Sequence, residues 1–377
     1  MATARDVAKR AGVSTSTVSH VLNGTRGVSR ALRERVLAAC DELAFEPNVV
    51  ARSLKTSRSR TLGFVVPDVN EFFTEILLGV EGVAEASGYS VIFCHSHDDP
   101  DKELAYLRLL RGRRVDGIIL APTGVRHADL ERLAQNHYPL VLVDRTVPGL
   151  SIDLVSVDNE PAAHAAVSHL LGLGHRRIAM VTGDMRMSSS EPRVRGYRRA
   201  LEEAGVPFDP DLLASGEGRT NEGRLAVQDL MSREPRPSAL FVANNLMTIG
   251  AMIALQELGL AIPRDVAYAG FDDFDWAGFL RPQLTMIAQP TCEIGRTAAQ
   301  LVIERIGQDA EKPARRIALG GRLMIRESSG AAVGAEADQA VGAAGTVAPN
   351  CGRGAGGPST TGVGAVTAAR RGRTSSP

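Results

Sequence analysis

The chain has 377 residues, of which 44% are hydrophobic and 23% are charged, and its 43 basic residues balance 43 acidic ones. This composition is typical of a globular protein of two or three domains, and it excludes a collagen, a coiled-coil rod and a wholly disordered chain. No apolar run approaches the roughly 20 residues that cross a membrane, and the N-terminus lacks the apolar segment of a secretory signal. We therefore expect a cytoplasmic protein without a membrane partner.

The charge is distributed unevenly along the chain. Residues 1–60 contain 11 Lys or Arg against 5 Asp or Glu, so the rest of the chain has an acidic excess. A basic segment on an acidic body is typical of a nucleic-acid-binding head, although a basic tail that aids solubility has the same signature.

Residues 3–45 predict three short helices. Thr3 and Asp6 have the spacing of a capping box, Gly12 is suited to the left-handed turn that ends a helix, and Ser14 and Ser29 can cap the next two helices. The predicted inward-facing residues are Val7, Ala8 and Ala11, then Val18, Val21 and Leu22, then Val36, Leu37, Ala39, Cys40 and Leu43. Two helices joined by a glycine turn and supported by a third predict a helix-turn-helix head.

The outward face of the second helix carries short hydroxyl side chains and an imidazole. These residues are Thr15, Ser16, Thr17, Ser19 and His20. Such groups at the start of a helix suit close approach to phosphates and base edges in a major groove. The alternative is that they are ordinary solvated residues.

The segment after Pro47 is too short to be a stable helix in water, because nucleation costs more than so few hydrogen bonds return. Within it Leu54 lies between Arg52 and Lys55, without a neighbouring element to bury it. An apolar side chain flanked by cations is typical of a wedge that opens a base step from the minor groove. A plain linker is the alternative interpretation.

From residue 61 onward, short apolar runs alternate with amphipathic stretches. The predicted strands are 62–67, 89–94, 116–121, 139–144, 154–158, 177–182, 239–243, 266–271 and 284–288, and the main predicted helices are 71–87, 100–112, 160–174, 191–204, 220–233, 245–258 and 291–307. Apolar strands separated by helices indicate parallel sheets buried on both faces. Because the span is long for one such sheet, we expect two α/β lobes with a cleft, with a TIM barrel as the competing architecture.

Two segments of the N-terminal region resemble a known family. VAKRAGVSTSTVSHVLNGTRGVS and EPNVVARSLKT resemble the DNA-binding head and hinge of the LacI/GalR family of bacterial repressors, and the head is most similar to its purine-repressor branch. The resemblance implies that the second helix reads the operator's major groove and that paired hinge helices enter the minor groove. Carried over by position, the candidate DNA-binding residues are Thr3, Ser14, Thr15, Ser16, Thr17, His20, Asn23, Arg26, Leu54 and Lys55.

The roles within this set also follow from the resemblance. Thr15, Ser16 and His20 match base-edge positions, and Leu54 with Lys55 matches the minor-groove wedge. The phosphate-contacting positions correspond to Ser14, Thr17, Asn23 and Arg26.

The resemblance extends to about residue 329. LVSVDN, HLLGLGHRRIAMVTG, ALFVANN, MTIGAMIALQELGLAIP and YAGFDD resemble the family's effector domain, which is similar to periplasmic sugar-binding proteins. It implies two lobes, a small ligand in the cleft between them, and chain crossings near 158–162, 288–292 and 320.

Several residues are candidates for this cleft. Phe72 and Phe73 offer flat faces for a sugar ring or a base, and we expect one to be core and one to face the ligand. Arg193 and Asp272 can clamp vicinal hydroxyls, which is the usual polar arrangement of a carbohydrate site.

The family's ligand-binding positions match Arg193 and Asp272 and add Ser189 and Asn244. The chain departs from the family pattern twice. A common Asn-Asp pair reads Asn244-Asn245, and Gly218 occupies a place where an aromatic ring often stacks on the ligand.

Other functional classes have weaker support. Gly172-Leu173-Gly174 follows a helix rather than a strand, which is the wrong context for a dinucleotide site. The polar run 94–99 suggests a metal site only weakly, and four scattered cysteines without CxxC spacing argue against a zinc ribbon. Because no catalytic constellation is recognisable, we expect neither an enzyme nor a cofactor.

The sequence thus predicts a helix-turn-helix head (1–46), a hinge helix and linker (47–60), a two-lobed periplasmic-binding-protein-like domain (61–329) and a disordered tail (330–377) rich in glycine. We expect a homodimeric transcription regulator, a repressor, that binds a pseudo-palindromic operator under control of a small effector, with a sugar favoured. The alternatives are a solute-binding receptor and an α/β enzyme.

Overall fold

The computed structural model describes residues 2–23, 27–45, 58–125, 128–306 and 313–330, together with the backbone of residues 338–341. The side chain of Asn23 and three further DNA-binding candidates, Arg26, Leu54 and Lys55, lie outside the described part. No helix among the described residues is long and apolar enough to cross a membrane.

The head consists of three helices, α1 (Ala4–Ala11), α2 (Thr15–Asn23) and α3 (Arg30–Glu42). Thr3 and Asp6 form the predicted capping box, and Gly12 has a φ of 62° in the left-handed region. Ser14 caps α2 by accepting the Thr17 N–H at 3.0 Å. The core of this helix-turn-helix unit includes Val7, Val18 and Val36, which are fully buried.

Two details of α3 differ from the expectation. Ser29 occupies the N-cap position of α3, but its side chain makes no capping hydrogen bond. Leu37, which we expected to be buried, is 42% exposed. The packing core of α3 is formed by Val36, Ala39 and Cys40, so Leu37 is turned away from it.

The first lobe is built on a six-stranded, fully parallel sheet with the strand order β11-β5-β4-β3-β1-β2. Its strands are β1 (Thr61–Val66), β2 (Ser90–His95), β3 (Gly117–Leu120), β4 (Leu140–Val143), β5 (Asp153–Val157) and β11 (Arg316–Leu319). Helices α4 (Glu71–Ala86) and α11 (Thr291–Ile306) cover one face, and α5 (Pro100–Gly112) and α6 (Ala128–Gln135) cover the other. The strands are therefore buried on both faces, as their apolar runs predict.

The second lobe is built on a seven-stranded sheet with the order β13-β12-β10-β9-β8-β6-β7. Its strands are β6 (Ile178–Thr182), β7 (Leu213–Ser215), β8 (Ala239–Val242), β9 (Ala267–Phe271), β10 (Thr285–Ala288), β12 (Gly321–Met324) and β13 (Asp338–Val341), and its helices are α7 (Asn159–Gly172), α8 (Ser190–Glu203), α9 (Thr220–Ser232) and α10 (Asn245–Glu257). Strands β12 and β13 are antiparallel to their neighbours. Two separate sheets exclude the TIM barrel.

The chain passes between the lobes at three points, after β5, after β10 and between β11 and β12. These points match the expected crossings near 158–162, 288–292 and 320. The short elements α6, β7, β11 and β12 were not among the predicted helices and strands. The expectation of a tail without structure was wrong for residues 338–341, because β12 offers an open edge with which they pair.

Candidate functional site

The predicted DNA-facing residues of the head that the structure describes are exposed or half-buried. Thr15 and Ser16 are exposed in the first turn of α2, and His20 lies half-buried one turn further on. The hydroxyls of Ser14 and Thr17 lie 2.9 Å apart, so both are held at the N-terminus of α2. The N-terminus of a helix is the positive end of its dipole, and hydroxyls held there can donate hydrogen bonds. This end of α2 therefore suits contact with phosphate.

The helix before the turn is fixed in a similar way. The Thr3 hydroxyl donates to the Asp6 carboxylate at 2.7 Å, and this contact lowers the pKa of Asp6. At the other end of the head, Arg10 pairs with Glu42 at 2.6 Å and ties α1 to α3. These contacts therefore stabilise the helix-turn-helix unit that carries Thr15 and Ser16.

A cavity of about 490 Å³ lies between the two lobes, at the carboxyl ends of the strands. This is the place where open α/β sheets bind small ligands, and the volume is within the usual range for such sites. All six candidate effector residues line it, namely Phe72, Phe73, Ser189, Arg193, Asn244 and Asp272.

Phe72 and Phe73 do not divide into a core residue and a ligand residue as expected. Both are buried in the core of the first lobe, at 9% and 3% exposure, and both also line the cavity. Their rings pack edge to face with centroids 4.9 Å apart. The first lobe thus gives the cavity an aromatic wall whose rings are fixed by core packing.

Arg193 is buried at the base of the cavity. Its Nε donates to the Asn159 side-chain oxygen at 2.7 Å, its Nη1 donates to the Ala243 carbonyl, and its guanidinium lies 3.8 Å from the centroid of the Phe271 ring. Its Nη2 makes no hydrogen bond within the described part of the chain and remains available as a donor. Burial lowers the pKa of Arg193, and the Asp272 carboxylate opposes that shift.

Asp272 follows β9 directly and has a φ of 69°, a left-handed conformation that is uncommon for a residue with a side chain. Its carboxylate accepts hydrogen bonds from the Asn245 N–H at 3.2 Å and from the Gln289 side chain at 2.5 Å. Burial raises the pKa of Asp272. Strained backbone that aims a buried carboxylate into a cavity is typical of a binding site.

Asn244 and Ser189 stand at the starts of two helices. The Asn244 side chain caps α10 by accepting the Met247 N–H at 2.7 Å and donates to the Gly218 carbonyl at 3.0 Å. Ser189 is the N-cap residue of α8 without a capping hydrogen bond. Asn244 therefore shapes the cavity wall beside Gly218, while the Ser189 hydroxyl is left to face the cavity.

Two further residues of the cavity, Asp144 and Gln289, were not predicted from the sequence. Asp144, which follows β4 with a φ of 64°, lies near Asp272 and pairs with Arg145 at 3.3 Å. Gln289 lies where the chain returns to the first lobe, and its buried Oε1 has no hydrogen-bond partner among the residues that the structure describes. A polar residue directly after a buried strand was the available signal for Asp144; no local pattern marked Gln289.

The polar run 94–99 contributes His95, His97 and Asp98 to the cavity. The two imidazole rings lie 3.8 Å apart, and Asp98 accepts a hydrogen bond from Arg145 at 3.2 Å. Within the residues that the structure describes, no group of three His, Cys, Asp or Glu side chains has an arrangement that could hold a metal ion.

Comparison with known proteins agrees with this arrangement. Residues 3–48 match the model of the bacterial regulatory proteins of the lacI family, and residues 59–322 match that of periplasmic binding proteins and the sugar-binding domain of the LacI family. A curated relative, the HTH-type transcriptional repressor PurR of Aliivibrio salmonicida, is 37% identical over 81% of this chain and 92% of its own length.

Two solved structures share the fold. The complex of the transcriptional regulator CelR with cellobiose is 33% identical, with a TM-score of 0.65 over 87% of this chain and all of the other. The lac repressor dimer bound to operator and the anti-inducer ONPF is 26% identical, with a TM-score of 0.75 over 87% of this chain and 99% of the other. The chain therefore belongs to the LacI family of bacterial regulators and is a transcriptional repressor with an N-terminal DNA-binding head and an effector-binding domain of the periplasmic-binding-protein type.

Proposed function

We propose that the effector of this repressor is a sugar bound between the lobes by Arg193, Asp272 and Gln289. The observation that carries the proposal is the set of unsatisfied and charged groups at the base of the cavity. The Gln289 Oε1 is a buried acceptor without a partner in the described part of the chain, and its Nε2 already donates to Asp272. Because an orphaned buried acceptor costs free energy, a ligand rich in hydroxyl donors stabilises this site.

The charges around the cavity favour a neutral sugar over a phosphorylated or acidic one. Six carboxylates line the cavity, against three arginines. Burial raises the pKa of Asp272, and the nearby Asp144 carboxylate raises it further. A phosphate or carboxylate group on the ligand would be repelled by these carboxylates. Sugar hydroxyls, in contrast, can donate to the carboxylates and accept from the Arg193 Nη2.

A heterocyclic base is the second candidate, because Phe72 and Phe73 give the cavity a flat apolar wall. Gly218, however, contributes no side chain to the cavity, so a base stacked on Phe73 would gain no second ring there. The structure of CelR with cellobiose, a relative of the same fold, is consistent with the choice of a sugar.

Effector binding can be followed by the fluorescence of Trp276, the one tryptophan of the chain. It stacks on Phe274 with ring centroids 3.7 Å apart and neighbours Asp275, whose N–H donates to Glu71 of the first lobe at 3.1 Å. The environment of Trp276 should therefore change when the lobes move relative to each other.

The experiment is a titration by fluorescence and calorimetry with neutral mono- and disaccharides, their phosphate esters, uronic acids and purine bases. We expect a neutral sugar to bind and its phosphate ester to bind at least tenfold more weakly, about 1.4 kcal/mol. Tightest binding by a base or a phosphate ester, or no binding by any neutral sugar, contradicts the proposal.

We propose that the repressor acts in the cytoplasm as a homodimer whose two heads bind the two halves of a pseudo-palindromic operator. Leu54 and Lys55 enter the minor groove. The head residues that contact the DNA are Thr3, Ser14, Thr15, Ser16, Thr17, His20, Asn23 and Arg26. The domain bounds are those given by the sequence, 1–46, 47–60 and 61–329. Exposed apolar side chains on both lobes support a subunit interface, namely Leu78, Phe93, Leu225 and Ile253.

The route from effector to hinge runs through the first lobe. Asp116 accepts the backbone N–H groups of Ser59 and Arg60 at 2.7 and 3.0 Å, so the root of the hinge is fixed to the start of β3. When a ligand changes the angle between the lobes of each subunit, the distance between the two hinge roots of the dimer changes. The hinge helices then enter the minor groove only at one spacing.

A further inference from the structure

The strands of the first-lobe sheet begin at one shared edge, because all six are parallel. We call the residues at the starts of these strands the amino edge. Ser59 and Arg60, through which the chain arrives from the hinge, form part of it. The arginines at or next to the amino edge are Arg58, Arg60, Arg113, Arg114, Arg315 and Arg316.

The carboxylates at these strand starts are already engaged. Asp116 holds the N–H groups of Ser59 and Arg60, and Asp153 is 3% exposed and pairs with Arg305 and Arg315 at 2.8 and 3.5 Å. They fasten the hinge root and β11 to the sheet. These two carboxylates are therefore not free to neutralise the remaining arginines.

Three arginines of the amino edge point into solvent. Arg113 and Arg114 lie in the turn between α5 and β3, and Arg316 is the first residue of β11. All three are exposed, and none forms an ion pair with another residue in the described part of the chain. Glu81 and Glu85, in the last turns of α4, are exposed acidic residues of the same lobe.

The opposite edge of the same sheet has the opposite charge. Asp68, Asp98 and Asp144 follow β1, β2 and β4 and face the effector cavity. Acidic residues thus lie at the end of the sheet where the effector binds. At the opposite end Arg113 and Arg114 precede β3, which neighbours the strand β1 where the hinge arrives, and Arg316 starts β11 at the far side of the sheet. Such segregation creates a local positive field suited to a polyanion.

The chain length limits how far the amino edge can lie from operator DNA. If Lys55 lies in the minor groove, the three residues that lead to Arg58 span at most about 11 Å. We propose that the amino edge of the first lobe, through Arg113, Arg114 and Arg316, binds phosphates of the operator beside the hinge. This extends the DNA interface beyond the head and the hinge, and it rests on the proposed insertion of the hinge.

These contacts are electrostatic and carry no base readout, so they should add equally to specific and random duplexes. The test compares the wild-type protein with the triple variant Arg113→Gln, Arg114→Gln, Arg316→Gln on an operator selected from random sequence. We expect the salt dependence of log K to become shallower by about 1 for each phosphate that an arginine no longer neutralises, so by up to about 3. Arg281→Gln, an exposed arginine of the second lobe, is the matched control and should keep the wild-type slope.

The outcomes separate the inference from the proposed function. If the wild-type protein selects no operator, the proposed function fails; if it selects one and the triple variant has the same salt slope, the amino-edge contact is disproved. Sedimentation of the triple variant and its effector affinity serve as checks on folding. A loss of the dimer in the triple variant would show that the edge is a subunit contact, which also overturns the inference.

Discussion

Gln289 donates a hydrogen bond to Asp272 at 2.5 Å and thereby joins two parts of the effector domain. Asp272 ends β9 in the second lobe, whereas Gln289 lies between β10 and α11, where the chain returns to the first lobe. The other end of α11 lies at the hinge root, where Arg58 donates to the Ile306 carbonyl at 3.2 Å. A movement of Asp272 therefore acts directly on the segment where the chain returns to the first lobe and continues through α11 to the hinge root.

Arg193→Ala should strongly weaken effector binding without affecting operator binding in the absence of effector. Losing a hydrogen bond from a buried charged donor to the ligand costs about 1.5–3 kcal/mol, which weakens the effector affinity by about tenfold or more. Trp276 fluorescence titration measures this affinity. Arg195→Ala, on the same helix but paired with Glu160 and Glu191 at the surface, is the control and should bind effector normally. An unchanged affinity in Arg193→Ala would remove this residue from the site.

Leu54→Ala should weaken operator binding and leave effector affinity unchanged. Burying a leucine side chain contributes about 1.5–3 kcal/mol, so its loss from the minor groove should weaken binding roughly tenfold or more. Fluorescence anisotropy with labelled operator measures the change, and the effector titration is the internal control. Wild-type operator affinity in Leu54→Ala would disprove the wedge.

Gly79→Ala should destabilise the first lobe because α4 and α11 pack closely at this point. A Cβ at Gly79 would lie 2.2 Å from the Cys292 carbonyl oxygen, so the two helices would have to separate. Overpacking of this kind costs about 1–3 kcal/mol. Gly172→Ala, at the end of α7 with open space around it, should instead leave stability equal or raise it by up to about 1 kcal/mol. Equal urea midpoints for Gly79→Ala and the wild type would contradict the packing.

Asp153→Asn should destabilise the protein at neutral pH, by about 3 kcal/mol. Burial alone would raise the pKa of Asp153, but hydrogen bonds from Arg305 and from the Arg315 N–H outweigh it and hold the pKa below its ordinary value of 3.8. A lowered pKa contributes stability above the ordinary value, and this contribution is lost as the pH falls through the lowered one.

The difference in unfolding free energy between wild type and Asp153→Asn should therefore be constant near pH 7 and shrink below about pH 4. Denaturant titrations across this range measure it. The exposed pair of Asp265 with Arg264 is the control, and Asp265→Asn should change stability little at any pH. A difference for Asp153→Asn that grows on acidification would reverse the assigned sign.

Local sequence signals predicted most of the architecture. Residues that are neighbours in the sequence determine the capping box at Thr3, the turn at Gly12 and the alternation of apolar strands with helices. The structure contains all three features. The short elements α6, β7, β11 and β12 have weaker periodicity and were not predicted. Leu37 matched a buried helical position, but which face of α3 meets α1 and α2 depends on packing.

The cavity was only partly predictable. Asp272 and Arg193 follow from strand ends and from the family resemblance, whereas Gln289 and Asn159 act on them from other segments of the chain. Such pairs depend on how two lobes meet, which no local spacing encodes. The same holds for the amino edge, where arginines from three distant segments gather because parallel strands start together.

The most direct test of the account is the operator dissociation constant measured with and without saturating amounts of the sugar that binds. Coupling between the sites should shift this constant by about 5- to 150-fold in the wild-type protein, and the shift should vanish in Arg193→Ala. An operator affinity that stays the same when the cavity is filled would contradict the claim that ligand binding between the lobes controls operator affinity.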